Sequence, residues 1–318
     1  MTGGTAAEFE EHRGRLFGLA YRLLGSADEA EDVVQDAFLR WAAADRGAID
    51  APGGWLAKVV TNLCLNRLTS ARARRESYVG PWLPEPVLTG GGELGPLDTV
   101  EQRDLVSLGL LRLMETLSPT ERAVFVLREA FGYSHREIAG IVSLSEANSR
   151  QLHARARRHL ARPGTRRPVD RAGWRALVER FLRAAAEGDL PALEAMLAAD
   201  VTSLADGGGR IAAARKPVAG RARVAQYLCG AFRVGAARLS LTAEYAEVNG
   251  APAALGRLGD EVLGAVVLDV AGGEVEGTGV EGTGVEGAEI VALHIAANPG
   301  KLRFAGRQLS HPAGLPGS

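Results

Sequence analysis

The sequence predicts a multidomain chain: two all-α modules, a helical bundle and a helix-turn-helix, followed by one α+β domain. Three observations predict it. Helical periodicity dominates the first half, two proline- and glycine-rich stretches interrupt it, and short alternating runs appear only after the second stretch. The 318 residues suffice for two or three domains at roughly 100–200 residues each. Hydrophobic content of 46% and charged content of 24% are those of a globular protein, which excludes a disordered or collagenous chain. No apolar run is long enough to span a bilayer. The opening MTGGTAAEFEEHRGR carries acids where an export signal has basic residues ahead of an apolar core. Cys64 and Cys229 form no CxxC pair and read as reduced thiols of a cytoplasmic protein. Neither is a metal ligand, and no cofactor is expected.

In the first module, Leu16, Phe17, Ala20, Leu23 and Leu24 recur at helical spacing until Gly25 breaks the pattern. Ser26 then caps a second helix, with Glu29 at the capping-box position. That helix buries Val33, Val34, Ala37, Phe38 and Trp41, which leaves Asp28, Asp32, Gln35 and Asp36 on the opposite face. A third helix runs from about Trp55, with Leu56, Val59, Val60 and Leu63 inward, into an arginine-rich stretch. Residues 76–104, dense in Pro and Gly, form a linker too apolar at Tyr78, Val79, Trp82 and Leu83 to be a passive spacer.

Helical pattern resumes over 105–163. Ser118, Pro119 and Glu121 supply an N-cap, a first-position proline and a box acid; Ser134 and Glu137 repeat the cap and the acid. A tight turn at Ser143–Ser145 leads into a basic helix, which completes a helix-turn-helix. Glu146, Ala147, Arg150, Gln151, Ala154, Arg157 and Arg158 share one face of that helix, opposite Leu152, Ala156 and Leu160. Long polar side chains there suit a major groove, and arginine forks onto guanine or phosphate. After RPGTRRP, residues 168–306 carry helices from Trp174 to Leu197 and then strands in RLSLTAEYAEV and IVALHIAA, with a tail at 307–318. The repeated VEGTG at 275–284 is expected to be a loop without chemistry.

The net charge of −1 hides a segregated pattern. Asp28, Glu29, Glu31, Asp32 and Asp36 form an acidic cluster, while Arg67, Arg72, Arg74 and Arg75 form a basic one. Such separation lets one face bind a protein and another a polyanion.

The segment LSPTERAVFVLREAFGYSHREIAGIVSLSEANSRQLHARARRHL resembles the −35-reading sigma-four domain of bacterial sigma factors. FGLAYRLLGSADEAEDVVQDAFLRWAA with PGGWLAKVVTNLCLNRLTSARARR is similar to their sigma-two domain, placed here at 1–75. Two such domains without a third between them resemble the extracytoplasmic-function class. The resemblance implies that Asp28, Asp32, Gln35 and Asp36 face the β′ clamp helices of core RNA polymerase. It also implies that the third helix opens the −10 element, with Asn62, Asn66, Arg67, Arg72, Arg74 and Arg75 as candidates. Promoter DNA is the second implied partner. Trp55 reads as core rather than as a base-stacking residue.

WLPEP (Trp82, Leu83, Pro84, Glu85, Pro86), DGGGR (Asp206, Gly207, Gly208, Gly209, Arg210) and NPGKL (Asn298, Pro299, Gly300, Lys301, Leu302) resemble motifs of one set within that class. These members carry a SnoaL-like (NTF2-like) C-terminal extension, the SigJ-type group. Their usual forms are DGGGK and NPDKL, so Arg210 and Gly300 depart from the pattern. The implied fold of the extension is a cone of curved sheet around helices with a pocket at its wide end. The expectation is a non-enzymatic sigma factor whose cone contacts its sigma domains and the WLPEP linker to regulate activity in cis. The alternative is a DNA-binding regulator whose pocket senses or processes a small ligand, with Asp206 and His294 as its acid–base pair. GGGR lacks the spacing and the ending of a P-loop.

Overall fold

The computed structural model describes residues 2–76, 78–90, 94, 99–161, 173–239, 241–272 and 288–310. The chain forms two compact units: residues 1–77 with 92–162, and residues 78–91 with 163–318. Part of the linker, residues 78–91, belongs to the C-terminal unit. The VEGTG repeat lies outside the described residues.

The first unit is helical. It contains α1 (Thr2–Leu24), α2 (Ala27–Ala43), α3 (Pro52–Glu76), α4 (Val100–Asp104), α5 (Leu108–Leu113), α6 (Pro119–Glu129), α7 (His135–Val142) and α8 (Glu146–Leu160). Gly25 takes a left-handed φ of 67° and ends α1, after which Ser26 accepts from the Glu29 amide at 3.2 Å and starts α2. α1, α2 and α3 pack together around Leu19, Tyr21, Val33, Trp41, Leu56 and Val60. Trp55 stacks tilted against buried Trp41 with ring centroids 5.7 Å apart, consistent with its reading as core. The third helix begins at Pro52, earlier than the periodicity indicated, because proline at a first helical position loses no needed amide. α4 likewise starts inside the stretch expected to be linker, where Thr99 and Gln102 form a reciprocal capping box.

The two helical modules do not stand apart: α6 packs on α1 and α3, and α7 on α3. Arg122 of α6 is 2% exposed, and its Nε and Nη2 donate to the Arg22 carbonyl at 3.2 and 3.1 Å, where α1 ends with unpaired carbonyls. Its Nη1 pairs with Glu115. Burial lowers the Arg122 pKa to about 9 and that of Arg22 to about 10.

The second unit contains α9 (Trp174–Glu187), α10 (Leu190–Met196), β1 (Leu197–Asp206), β2 (Val218–Ala219), α11 (Arg221–Leu239), β3 (Thr242–Val248), β4 (Ala251–Leu258), β5 (Glu261–Gly272), β6 (Ala288–Ala296) and α12 (Pro299–Ser310). Its sheet has the order β2-β1-β6-β5-β4-β3, antiparallel except where β1 runs parallel to β6. Leu268 and Leu293 face α9–α11 and join Phe181, Leu193, Val224 and Leu228 in one apolar core. Strand alternation sends Asp206, Val267 and His294 to the other face. The β3–β4 turn is Asn249–Gly250 with φ of 53° and 69°, the two-residue geometry that Asn-Gly favours. α12 runs to Ser310, so residues 307–310, expected to be tail, are helical.

Candidate functional surfaces

On α2, Asp32 and Gln35 are exposed and Asp28 and Asp36 half-buried, because Val33, Val34, Ala37 and Trp41 turn the opposite face to α1 and α3. Leu39, one turn beyond Gln35, is 60% exposed and extends this face with an apolar residue. Asn66 on α3 is exposed and Asn62 half-buried. Arg67 does not share their direction. Its Nη2 lies 2.9 Å from Asp36 Oδ2, and its Nη1 lies 3.5 Å from Asp32 Oδ2 and 3.3 Å from the Glu29 carbonyl. The side chains of Arg72, Arg74 and Arg75 lie outside the described residues.

The helix-turn-helix forms as its caps dictate. Ser118–Glu121 and Ser134–Glu137 are complete capping boxes, and Ser145 accepts from the Asn148 amide to start α8. α7 ends at Ser143 in the left-handed region, φ 57°, and α8 begins three residues later. Ser149, Ala156 and Leu160 are buried against α6 and α7, which leaves Ala147, Arg150, Gln151, Ala154, Arg157 and Arg158 exposed. Glu146 is half-buried and pairs with Arg150 one turn on. At the base, His135 Nδ1 lies 3.0 Å from Ser149 Oγ, and His153 Nε2 lies 2.6 Å from Glu129 Oε1. Burial, with His153, Arg128 and Arg150 nearby, holds His135 below the ordinary histidine pKa.

In the second unit, residues 78–90 form a strap over the sheet and α12. The Asp206 carboxylate is its anchor. Oδ1 accepts from the Tyr78 hydroxyl at 2.6 Å and the Gly208 amide at 3.0 Å. Oδ2 accepts from the Leu83 amide at 2.9 Å and from Lys301 Nζ at 2.7 Å. Lys301 also donates to the Leu83 carbonyl, and its ammonium lies 4.3 and 4.7 Å from the ring centroids of Trp82 and Tyr78. Burial, then the bond to Asp206, pushes the Tyr78 pKa upward. Asn298 Nδ2 donates to the Tyr78 hydroxyl at 2.7 Å, while its Oδ1 caps α12 at the Gly300 amide. Gly207 and Gly208 are required here: a Cβ on the first would lie 2.2 Å from the Ile211 carbonyl, and one on the second 2.4 Å from Asn298 Nδ2.

Further along the strap, Pro84, Pro86 and Val87 are buried and Glu85 half-buried. Val87 exchanges two hydrogen bonds with Asn249, and Leu88 exchanges two with the Gln308 side chain. Thr89 donates its amide to the Glu247 carbonyl, and Leu88 bridges Val248 antiparallel, so the strap pairs with the end of β3.

A model of sigma-70 region 2 matches residues 9–74, and one of sigma-70 region 4 matches residues 107–160. The ECF RNA polymerase sigma factor SigJ of Mycobacterium tuberculosis is 38% identical over 225 residues, which span 70% of this chain and 72% of SigJ. The probable ECF sigma factor SigI of the same organism is 37% identical over 59% of this chain and 65% of its own length. The crystal structure of M. tuberculosis SigJ superposes with a TM-score of 0.67 at 31% identity, covering 94% of this chain and 98% of that one. The chain belongs to the extracytoplasmic-function sigma factors.

It is therefore an alternative sigma factor that directs transcription initiation, and its family consists of transcription factors that bind core RNA polymerase and promoter DNA. Its architecture is that of two helical sigma domains followed by an α+β, SnoaL-like extension. No helix among the described residues is long and apolar enough to cross a membrane.

The tertiary structure adds several features that no local pattern carries. Asp206 and His294 are not a pair: His294 Nε2 bonds Asp269 Oδ2 at 3.2 Å, and both Asp206 oxygens are held by the strap. The core around Phe181, Leu193 and Leu228 packs α9–α11 onto the sheet. A depression of 360 Å³ lies among the helical residues Ala185, Gln226, Cys229 and Arg233. Arg210, which departs from the usual motif, is exposed, and the cation that meets Asp206 is Lys301. Sequence reasoning missed Asn249, Gln308 and Thr89 as strap contacts. Asn249 had a readable signal, since Asn-Gly between two alternating runs marks a hairpin; Gln308 and Thr89 had none, because nothing local records a partner more than 150 residues away.

Proposed function

We propose that this sigma factor docks on the β′ clamp helices of core polymerase through Asp28, Asp32, Gln35 and Asp36. It then opens the −10 element with Asn62, Asn66 and the arginines of α3, and reads the −35 element with Glu146, Ala147, Arg150, Gln151, Ala154, Arg157 and Arg158. The exposed polar face of α8 carries this reading: six exposed residues on one side of a helix anchored by buried Ser149, Ala156 and Leu160. Arg150 and Gln151 suit base edges, while Arg157 and Arg158 suit phosphates. In vitro transcription with core enzyme tests it. Arg150→Ala is expected to relax −35 preference. Arg157→Ala is expected to weaken DNA binding uniformly and reduce the salt slope by about 1.

The extension regulates the sigma domains in cis through the strap, which continues in sequence into α3 on one side and toward α4 on the other. The Asp206–Lys301 clasp supports this, because it fixes a connector that an unregulated sigma factor has no reason to bury. A tethered domain acts at millimolar effective concentration, so each contact counts. Trp82→Ala and Pro84→Ala are expected to change promoter output in that assay; unchanged output from both refutes the regulatory role. The factor acts in the cytoplasm, where polymerase and promoters are found.

A further inference from the structure

Arg67 sits on the helix assigned to DNA yet spends its guanidinium on the helix assigned to polymerase. Its contacts to Asp36 and Asp32, at 2.9 and 3.5 Å, neutralise part of the acidic face. Asn66, its neighbour in sequence, points about 100° away around α3 and is exposed. Arg67 therefore stands at the margin between the two functional faces.

The pair is built to exchange. Arg67 is 29% exposed, Asp36 45% and Asp32 67%, so water and salt reach all three groups. Ion pairs of that exposure are weak and easily screened. The contrast is Arg122, 2% exposed and locked onto the Arg22 carbonyl. While Arg67 holds the carboxylates, a basic partner meets a partly neutralised face. Equally, a phosphate approaching Arg67 meets a cation already compensated. Each contact weakens the other.

We propose that Arg67 is a transferable positioning residue: core polymerase takes the carboxylates of Asp32 and Asp36, and the released guanidinium captures a promoter phosphate beside Asn66. This rests on the reading of the α2 face given above. Polymerase binding thereby strengthens DNA capture, and linkage requires DNA to strengthen polymerase binding by the same factor. A purely structural arginine would produce neither effect.

The test uses the full chain and two probes, core polymerase and a mixed-sequence single-stranded DNA oligonucleotide, since a phosphate contact is independent of sequence. Arg67→Gln is expected to bind core about two- to fivefold more tightly while its holoenzyme binds the oligonucleotide about two- to fivefold less tightly, the size of exposed charge contacts. Asp32→Asn with Asp36→Asn is expected to lose core affinity and, as free protein, to gain oligonucleotide affinity that falls with salt. Unchanged or weaker core binding by a normally stable Arg67→Gln protein overturns the proposal. If Arg67→Gln lowers the thermal midpoint, the double variant decides, because it keeps Arg67 in place: a gain in oligonucleotide binding supports transfer, and no gain overturns it. If the double variant binds core as the wild type does, the polymerase reading of α2 falls and the transfer with it. If it loses core affinity but neither variant shows its expected gain, only the transfer falls.

Discussion

Lys301 and Asp206 form a buried ion pair at 2.7 Å whose carboxylate is saturated by four donors, two of them from the strap. Coulomb attraction offsets the loss of hydration because the carboxylate accepts four hydrogen bonds and the ammonium donates to Asp206 and the Leu83 carbonyl beside the Trp82 and Tyr78 rings. The pair therefore makes the strap part of the second unit's interior instead of a surface ornament.

Removing one partner leaves the other charged and buried. Asp206→Ala is expected to cost about 3–5 kcal/mol, the usual loss on breaking a buried pair. Urea unfolding of the full chain measures the loss, and hydrogen exchange at the Leu83 amide, which donates to Asp206, is expected to speed up. Unaltered exchange there would show that the clasp does not hold the strap.

Alkaline pH is expected to loosen the same contact. The Tyr78 pKa is raised above its ordinary 10.0 by burial and then by the bond to Asp206. The folded state then holds the phenol proton more tightly than the unfolded state, so this stabilisation is whole below about pH 10 and is lost as pH rises past it. Tyr78→Phe is expected to flatten the decline in thermal midpoint between about pH 9 and 11.

Acid acts on the helix-turn-helix. His135 is held below its ordinary 6.5, by burial first and then by His153 and neighbouring arginines. The unfolded chain therefore binds the proton more readily, and stability is lost as pH falls through 6.5 and below. His135→Gln is expected to narrow the difference in thermal midpoint between about pH 7.5 and 5.5. An unchanged difference would assign the acid sensitivity elsewhere.

The turn after β1 tolerates no side chain. A Cβ at Gly207 would lie 2.2 Å from a backbone oxygen, and Gly208 has a φ of 61° besides a 2.4 Å approach to Asn298. Gly208→Ala combines left-handed strain of about 1–2 kcal/mol with displacement of the amide that holds Tyr78. Calorimetry is expected to show destabilisation by about 2 kcal/mol or more, together with faster exchange at the Leu83 amide.

Caps, breakers and periodicity are local, and they were legible. Ser26, Ser118 and Ser134 start helices where the sequence indicates, because each cap needs only an amide three residues on. The polar face of α8 followed from spacing alone. The contacts of Arg67 were not legible for the opposite reason: they lie 31 and 35 residues back on α2, where no local pattern records them.

By itself the sequence determined the helical modules, the capped starts at Ser26, Ser118, Ser134 and Ser145 and the chemistry of the exposed face of α8, since those depend on neighbours within one or two turns. The tertiary structure decided which buried charges meet. Asp206 and Lys301 lie in two separate short motifs, DGGGR and NPGKL, 95 positions apart. Folding alone brings them together under Leu83, because neither charge survives burial without the other.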